Sequence, residues 1–336
     1  MATKTKIYAK TKTDCQLGDL VVANILRKKE YNNLHMSKKD PPQQLSSHVP
    51  VLLEQVVDYL SPRPGESYLD LTAGYGGHAR AILSRTMAPQ KTVLVDRDQS
   101  ALATLSDVAA EGAELVHSDY ATYAEKAAEQ GTRYDMILVD LGVSSPQLDR
   151  AERGFSLKRD GPLDMRMNQN DAAQKTAKYL VNHMNQAELE RVLELYGEEP
   201  ASSARRIAKA IVAARPLETT EQLADVVLSN HRGAYQKTHP ATRTFQAFRI
   251  AVNDELGQLE RLLAVLPQLL RPGGRVVLIS FHSLEDRLVK RFFKEQASAG
   301  YEAQLDLLTK KAIRGKTNDV HNPRARSATL RAAVKK

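Results

Sequence analysis

The sequence predicts an α/β fold in which a doubly wound, mostly parallel sheet carries an inserted all-helical domain. The first observation is a short apolar strand that runs into the glycine turn at residues 70–78 (DLTAGYGGH) and then into a helix. The second is Asp96, which ends the apolar run 93–95 (VLV) twenty residues after Gly76. The third is the stretch after residue 141, where about a hundred residues show helical but no strand periodicity.

The glycine turn and the following acid suit an adenosine-containing ligand. Gly74 and Gly76 permit a tight turn and a close approach of the backbone to a ligand, and a helix opening at residues 77–80 offers free N–H groups. The Asp96 carboxylate can accept two hydrogen bonds from a ribose diol. The same pattern also fits a dinucleotide such as NAD, or a glycine turn that holds no ligand.

Two further strands narrow the choice of cofactor. Residues 134–142 (YDMILVDLG) form an apolar run that ends at Asp140, which predicts a central parallel strand whose tip enters the site. At residues 269–280 (LLRPGGRVVLIS) an amphipathic helix is predicted to end at Pro-Gly-Gly and to lead directly into a buried strand. This pattern resembles the fourth crossover of class I (Rossmann-like) methyltransferases and is rare in dehydrogenases. It favours S-adenosylmethionine over NAD.

The helical patterns and the composition divide the chain. A helix is predicted over residues 49–60, ended by Ser-Pro-Arg-Pro-Gly, and the insertion is predicted to contain helices at 171–184, 186–196, 202–214 and 220–230. The predicted organisation is a basic, disordered extension (1–45), the first part of the core (46–147), a helical substrate-recognition insertion (148–245) and the second part of the core (246–336).

Composition excludes several classes of protein. The lone Cys15 rules out a disulfide framework and a cysteine-based zinc cluster, and no His, Asp or Glu cluster has convincing metal-ligand spacing. No apolar run approaches the ~20 residues of a membrane span. We therefore expect a cytoplasmic protein without a metal. Residues 1–39 carry a net charge of +6 and residues 310–336 of +8, against −6 for the rest, so the basic C-terminus suits phosphate contacts or is simply a solvated tail.

Four unusual strings carry a resemblance that runs from about Ser46 to the C-terminus. They are GVSSPQLD (142–149), DGPLDMRM (160–167), HPATRTFQA (239–247) and SFHSLEDR (280–287). Together they resemble the bacterial 16S rRNA (cytosine-N4) methyltransferase family, RsmH, also called MraW. The resemblance implies a class I methyltransferase core with S-adenosylmethionine as donor. It also implies N4-methylation of a cytidine in the decoding region of 16S rRNA. The implied partner is 16S rRNA within the small ribosomal subunit, with free rRNA as the alternative acceptor. The resemblance does not indicate the oligomeric state.

The resemblance also carries expectations for single residues. Tyr120 stands where some members of the family have Phe. The residues expected to hold the cofactor are Gly76, Gly77, His78, Asp96, Tyr120, Asp140 and Gln147. The residues expected on the RNA backbone are Arg166, Arg243, Arg249, Arg324 and Arg326.

Reaction chemistry gives an independent test. Methylation at cytosine C5 needs a cysteine nucleophile, and Cys15 lies outside the core, whereas methylation of the exocyclic amine needs no covalent adduct. An acceptor must hold the N–H bonds of that amine, and the candidates are Asp140 and the 141–145 loop with Ser144. Alternatively Asp140 caps the following turn. His282 is a candidate proton acceptor or a structural hydrogen-bonding group.

Other residues have competing interpretations. Ser283 with Asp286 predicts a helix capping box or a substrate contact. The aromatic that stacks the target base is Phe155, Phe245 or Phe281, although Phe245 with Phe248 also fits a helix core. Two alternative functions remain at this point: an NAD-dependent dehydrogenase and a non-catalytic RNA-binding assembly factor.

Overall fold

The structure is a computed structural model that describes residues 50–232 and 238–336. The predicted extension at 1–45 and the predicted domain start near Ser46 lie outside the described residues. Within the described part, a central sheet is covered by helices on both faces, and a further group of helices lies between the fourth and fifth strands. No helix in this part of the chain has the length and apolar composition that crossing a membrane requires.

The sheet confirms the doubly wound, mostly parallel topology. Its strands are β1 (Tyr68–Asp70), β2 (Thr92–Asp96), β3 (Glu114–His117), β4 (Tyr134–Asp140), β5 (Leu270–Ser280), β6 (Leu305–Leu307), β7 (Ile313–Arg314) and β8 (Thr329–Lys335). The spatial order is β3-β2-β1-β4-β5-β8-β6, with β7 also paired to β8. Strands β1 to β5 are parallel, and β8 runs antiparallel to β5. The order reverses between β1 and β4, which places a ligand crevice at their carboxyl ends.

The helices follow the predicted pattern. They are α1 (Leu53–Leu60), α2 (Gly77–Thr86), α3 (Gln99–Leu102), α4 (Ser106–Ala110), α5 (Tyr120–Glu129), α6 (Ser145–Asp149), α7 (Ala177–His183), α8 (Gln186–Gly197), α9 (Ala201–Ala213), α10 (Thr220–Ser229), α11 (Thr242–Asn253), α12 (Glu255–Val265), α13 (Ser283–Ser298) and α14 (Gly315–Asn318). Helix α1 ends at Leu60 as predicted, because Ser61 adopts a left-handed conformation and Pro62 follows.

Alternation along the strands builds the two faces of the core. Leu69 and Ile137 pack with apolar residues of α5, α12 and α13, whereas their neighbours Tyr68 and Met136 pack with α1 and α2 on the opposite face. Successive side chains of a strand point to opposite faces, so strands covered on both sides read as continuous apolar runs. Together these two layers hold the strand ends at fixed positions.

The helices between β4 and β5 have a core of their own, which runs from Phe155 to Val252. The predicted boundary between 245 and 246 falls inside α11, whose buried residues beyond 245 include Phe248 and Val252. The extent of a separate substrate-recognition domain stays a prediction, and this core suggests an end near Asn253.

Two predicted elements differ from those observed. The helix before β5 ends at Val265, and Pro272-Gly273-Gly274 lies inside β5, where the pairing with β4 shifts between Tyr134 and Met136. Gly273 has φ +78°, so the Pro-Gly-Gly segment forms a bulge and does not separate helix from strand. The helix predicted at 171–184 begins at Ala177, because Thr176 accepts a hydrogen bond from the Tyr179 N–H and caps it.

Candidate active site

Three acidic residues meet at the carboxyl edge of the sheet. Strand β1 ends at Asp70, β2 at Asp96 and β4 at Asp140, and these strands are parallel neighbours in the order β2-β1-β4. Their carboxylates therefore share one edge, where the ligand crevice of this topology lies. Asp70 is a site residue that the sequence analysis did not select, although it opens the DLTAGYGGH string.

The glycine turn links this edge to α2. Gly74 and Gly76 have φ values of +51° and +78°, which only glycine adopts without strain. A Cβ on Gly74 would meet only the Thr72 carbonyl at 3.9 Å, so the backbone is open there. At Gly76 and Gly77 an added Cβ would meet Leu105 and Pro50, so these two glycines are also required by packing. The roles of Gly76 and Gly77 in holding the cofactor stay predictions, based on the free N–H groups that a helix offers in its first turn.

This geometry predicts different costs for two glycine substitutions. Gly76→Ala is expected to lower the free energy of unfolding by about 1–2 kcal/mol, because alanine is strained in the left-handed conformation. Overpacking is expected to lower it by about 1–3 kcal/mol more, because the added Cβ would lie 2.4 Å from Leu105 Cδ2. Gly131→Ala is the matched control, because Gly131 has φ +69° but no atom within 4 Å of the added Cβ. Denaturant titration of both variants measures the difference. Equal losses would contradict the packing role.

Asp96 and Asp70 are both held by local hydrogen bonds. The two Asp96 oxygens accept the Gly74 N–H at 2.7 Å and the Asp98 N–H at 2.8 Å. Asp70 accepts the Tyr68 hydroxyl at 2.8 Å and the Thr72 N–H at 3.1 Å. Burial raises the pKa of each carboxyl to about 6, against the lowering effect of these hydrogen bonds. Among the described contacts each Asp96 oxygen accepts one hydrogen bond, and the expected ribose contact of Asp96 stays a prediction.

Asp140 is the least satisfied acid of the edge. Its backbone N–H donates to Thr72 Oγ1 at 2.7 Å, whereas its buried Oδ1 has no hydrogen-bond partner among the described residues. Burial raises the pKa of Asp140 well above its ordinary value, and the Asp70 and Glu285 carboxylates add to this. No hydrogen bond from the following turn reaches the carboxylate within this part of the chain, so the geometry does not support a capping role.

His78 contacts Asp140 without supplying charge. Its ring is buried, and Nε2 lies 3.0 Å from the Val51 carbonyl, a contact in which Nε2–H donates. Nδ1 then carries the lone pair and lies 3.8 Å from Asp140 Oδ2. Burial lowers the pKa of His78 to about 4, against the raising effect of the Val51 hydrogen bond. His78 is therefore neutral at physiological pH and does not stabilise ionised Asp140.

The loop after β4 is fixed by a second carboxylate. Ser144 caps α6 in a reciprocal box with Gln147, whose Oε1 accepts the Ser144 N–H at 3.0 Å. Gln147 Nε2 donates to Asp98 Oδ2 at 3.0 Å, and Arg153 donates to the same oxygen at 2.6 Å. Ser144 and Gln147 thus have structural roles in the described contacts, and their catalytic and cofactor roles stay predictions. Asp98 was missed because nothing in the sequence marks its long-range partners.

Tyr120 is the first residue of α5 and is partly buried. Its hydroxyl donates to the Glu255 carbonyl at 3.0 Å, which ties the start of α5, the helix that follows β3, to the start of α12. An aromatic face held in this way can stack on an adenine, so the expected cofactor role is compatible with the geometry.

The start of α13 corrects the predicted capping box. Helix α13 begins at Ser283, so its cap is His282, whose ring accepts the Glu285 N–H while Glu285 reaches back to the His282 N–H. The predicted Ser283–Asp286 box is wrong: Ser283 donates to Glu198, and Asp286 pairs with Arg331.

A buried charge network surrounds this cap. Glu285 Oε2 also accepts the Phe281 N–H at 2.8 Å. Although burial raises it, the pKa of Glu285 is lowered overall by His282, Arg249 and the Phe281 N–H. One ligand atom each of Glu255, His282 and Glu285 lies within 4.8 Å of the others, a spacing that could hold a metal and that the sequence did not reveal. Arg249 already pairs with both Glu255 oxygens at 2.8 Å, so a cation of the protein occupies that carboxylate.

The aromatic residues that are candidates for stacking on the base differ in burial. Phe155, Phe245 and Phe248 are buried in the core of the helical region, so the core interpretation of Phe245 and Phe248 is confirmed. Phe281 is partly exposed and packs over Gly142, where an added Cβ would lie 3.5 Å from the ring. Gly142 lies two residues after Asp140, so Phe281 packs against the loop that follows the candidate acceptor.

The five arginines that are expected to contact RNA differ in their ion pairs and exposure. Arg249 is committed to Glu255, and Arg166 forms a two-pronged pair with Asp164, so the structure corrects the expectation that these two guanidinium groups are free for RNA. Arg243 is exposed and donates to the Glu198 carbonyl, and Arg324 pairs with Asp149 at the surface. Arg326 is exposed without an ion pair to any described residue.

The residues at the edge fit a cationic adenosine cofactor. Asp140 Oδ1 and the Tyr75 hydroxyl are buried without partners among the described residues, and both belong to the edge or its glycine turn. Three carboxyls with raised pKa values form a site that a positive charge would stabilise in the ionised state. A sulfonium carries such a charge, whereas a dinucleotide pyrophosphate would add negative charge.

Comparisons with known proteins agree with this geometry. The model of the MraW methylase family matches residues 45–336. Ribosomal RNA small subunit methyltransferase H of Heliobacterium modesticaldum is 45% identical over 311 residues, covering 86% of this chain and 98% of the relative. The proteins of the same name from Geobacter sulfurreducens and Acidobacterium capsulatum are each 48% identical, covering 86% of this chain and 99% and 98% of the relatives. The dehydrogenase alternative is therefore wrong, and the chain belongs to the MraW methylase family of S-adenosylmethionine-dependent methyltransferases.

Proposed function

We propose that this protein transfers a methyl group to the N4 amine of a cytidine in the decoding region of 16S rRNA, during maturation of the small ribosomal subunit. Support comes from the four family strings and from the names of relatives that are methyltransferases of small-subunit rRNA. An rRNA substrate places the reaction in the cytoplasm. The observation that carries the chemistry is the buried, unpartnered Oδ1 of Asp140 at the tip of β4.

An exocyclic amine is a poor nucleophile, because its lone pair is delocalised into the cytosine ring. S-adenosylmethionine supplies the electrophilic methyl group. The Asp140 carboxylate, whose side chain is 25% exposed, accepts an N4–H hydrogen bond, which raises the electron density on nitrogen and aims its lone pair along the line of attack. As the N4–C bond forms and the S–C bond breaks, one N4 proton becomes acidic and passes to Asp140. Fixed orientation contributes up to about 7–11 kcal/mol and a base about 10²–10⁴-fold.

The base must leave its stack to reach this edge, since an amine inside a paired helix is not accessible. Phe281 lies where such a base would arrive, partly exposed and against Gly142. We propose that its ring stacks on the cytosine. The Glu285 carboxylate holds the Phe281 N–H and so fixes this residue relative to β5.

The test is methyl transfer to defined acceptors. Purified protein with labelled S-adenosylmethionine is expected to modify small subunits or 16S rRNA at one cytidine. Nuclease digestion and co-chromatography with N4-methyl and C5-methyl standards are needed, because the two products have the same mass. Transfer at C5, or to a different base, would contradict the proposed chemistry. RNA binding without any transfer would favour the assembly-factor alternative.

A further inference from the structure

A cavity at the start of α13 adjoins the candidate active site. It has a volume of about 390 Å³ and lies between the start of α13 and the segment from β7 to β8. Phe281 and His282 line it, and Phe281 also packs over Gly142 beside Asp140. The cavity therefore shares Phe281 with the surface proposed for the target base.

The charge of this cavity is positive. Arg287, Lys290 and Arg314 line it, and its acidic lining residue Asp286 is neutralised by Arg331 through two contacts of 2.8 and 3.2 Å. Lys290 is exposed and has no ion pair to a described residue.

The other two cations of the cavity, Arg314 and Arg287, differ in their hydrogen-bond partners. Arg314 donates one bond to Thr329 Oγ1 at 2.9 Å and has no carboxylate partner within the described ranges. Arg287 donates to Glu198 from an exposed position. Lys290 on α13 and Arg314 on β7 thus line one cavity, and neither has a carboxylate partner among the described residues.

We propose that this cavity binds a backbone phosphate of the RNA next to the target nucleotide, with Lys290 and Arg314 as its ligands. The inference rests on the proposed function and names a subsite of the same surface. A nucleotide turned out of its stack carries its flanking phosphates with it, and cations beside the entry point hold the strand while the base remains extruded. Two ligands from different elements also fix the strand direction, which one surface lysine cannot do.

The experiment compares two lysines of one helix. Lys290 and Lys294 lie one turn apart on α13, both exposed, but only Lys290 lines the cavity. Binding of a labelled decoding-region RNA is measured for the wild type, Lys290→Ala, Lys290→Arg, Lys294→Ala and the double variant Lys290→Ala/Arg314→Ala. The double variant is expected to bind about tenfold more weakly, with a salt slope less steep by about 0.7 for the lost phosphate contact. Lys290→Arg is expected to retain binding, and Lys294→Ala to resemble the wild type.

Replacing single RNA phosphates by an uncharged linkage identifies the phosphate that the cavity binds. Methylphosphonate is placed at one RNA linkage at a time on either side of the target cytidine. One position is expected to weaken binding to the wild type but not to the double variant. Equal effects of Lys290→Ala and Lys294→Ala, or additive losses at every position, would overturn the inference.

The outcome is separable from the proposed function. Failure of the wild type to methylate rRNA overturns the function, whereas the binding comparison decides the phosphate site in either case. Thermal unfolding and S-adenosylmethionine affinity of each variant show whether the fold and the cofactor site are intact. A double variant with a lowered melting temperature is replaced in the comparison by Lys290→Gln, because Lys290 is exposed and has no ion pair to a described residue.

Discussion

Replacement of Asp140 by asparagine is expected to lower kcat by about 10²–10⁴-fold, the usual contribution of a positioned base. The substitution keeps the shape of the side chain and the Asp140 N–H bond to Thr72, but removes the negative oxygen that accepts the N4 proton. Because burial raises the pKa of Asp140 well above its ordinary value, asparagine also mimics the protonated acid. The wild type is therefore expected to lose activity as the pH falls, whereas Asp140→Asn stays uniformly slow.

Single-turnover rates and cofactor affinity distinguish the possible results. Asp96→Asn serves as the contrast, since Asp96 lies at the tip of β2, on the other side of β1 from Asp140. We expect that variant to weaken cofactor binding more than the rate at saturation. A loss of affinity alone in Asp140→Asn would make Asp140 a cofactor contact. An unchanged rate and affinity would remove it from the mechanism.

The affinity for S-adenosylmethionine is expected to rise between about pH 5 and 7, because ionisation of the carboxyls at the site is coupled to binding of the cation. Each carboxyl coupled in this way contributes about tenfold. Burial raises the pKa values of Asp70 and Asp96 to about 6, so both are largely protonated at the lower pH and ionised at the higher. A cation binds the ionised form more tightly, so the sign is a gain in affinity as the pH increases. His78, whose pKa is lowered to about 4 by burial, stays neutral throughout and does not contribute.

S-adenosylhomocysteine is the matched ligand for this measurement, because it lacks the methyl group and the positive charge on sulfur. Isothermal titration of both ligands across the same pH range isolates the sulfonium contribution. We expect a steeper pH dependence for S-adenosylmethionine, and a smaller difference in Asp140→Asn. Parallel curves for the two ligands would show that the acids do not act on the sulfonium.

Much of the fold was predictable because local patterns and tertiary contacts agree. The apolar runs that end at Asp96 and Asp140 are strands covered on both faces, and the insertion has a helix in each predicted segment, although the first begins at Ala177 and not at residue 171. Where the prediction failed, a local rule was outweighed. Pro-Gly-Gly at 272–274 is a strong signal for a turn, but pairing of Leu270 with Tyr134 of β4 extends β5 back across this segment, whereas the pairing with β8 begins only at Arg275.

The site was only partly predictable, because its partners are distant in sequence. Asp98 joins Gln147 and Arg153, and Asp286 joins Arg331, contacts that no spacing rule indicates. The arginines were misassigned for a different reason: residue type suggested RNA contacts for Arg166 and Arg249, but the carboxylates of Asp164 and Glu255, close to them in the chain, pair with them.

The sequence by itself determined the class of fold, the glycine turn, the acids that end β2 and β4, and through its family strings the type of cofactor. These features depend on local periodicity and on residue types that only one backbone conformation accommodates. The tertiary structure decided which groups are free to act. It left Asp140 Oδ1 and Lys290 without partners among the described residues while it neutralised Asp98 and Asp286 with Arg153 and Arg331, because burial and pairing depend on the approach of elements far apart in the chain.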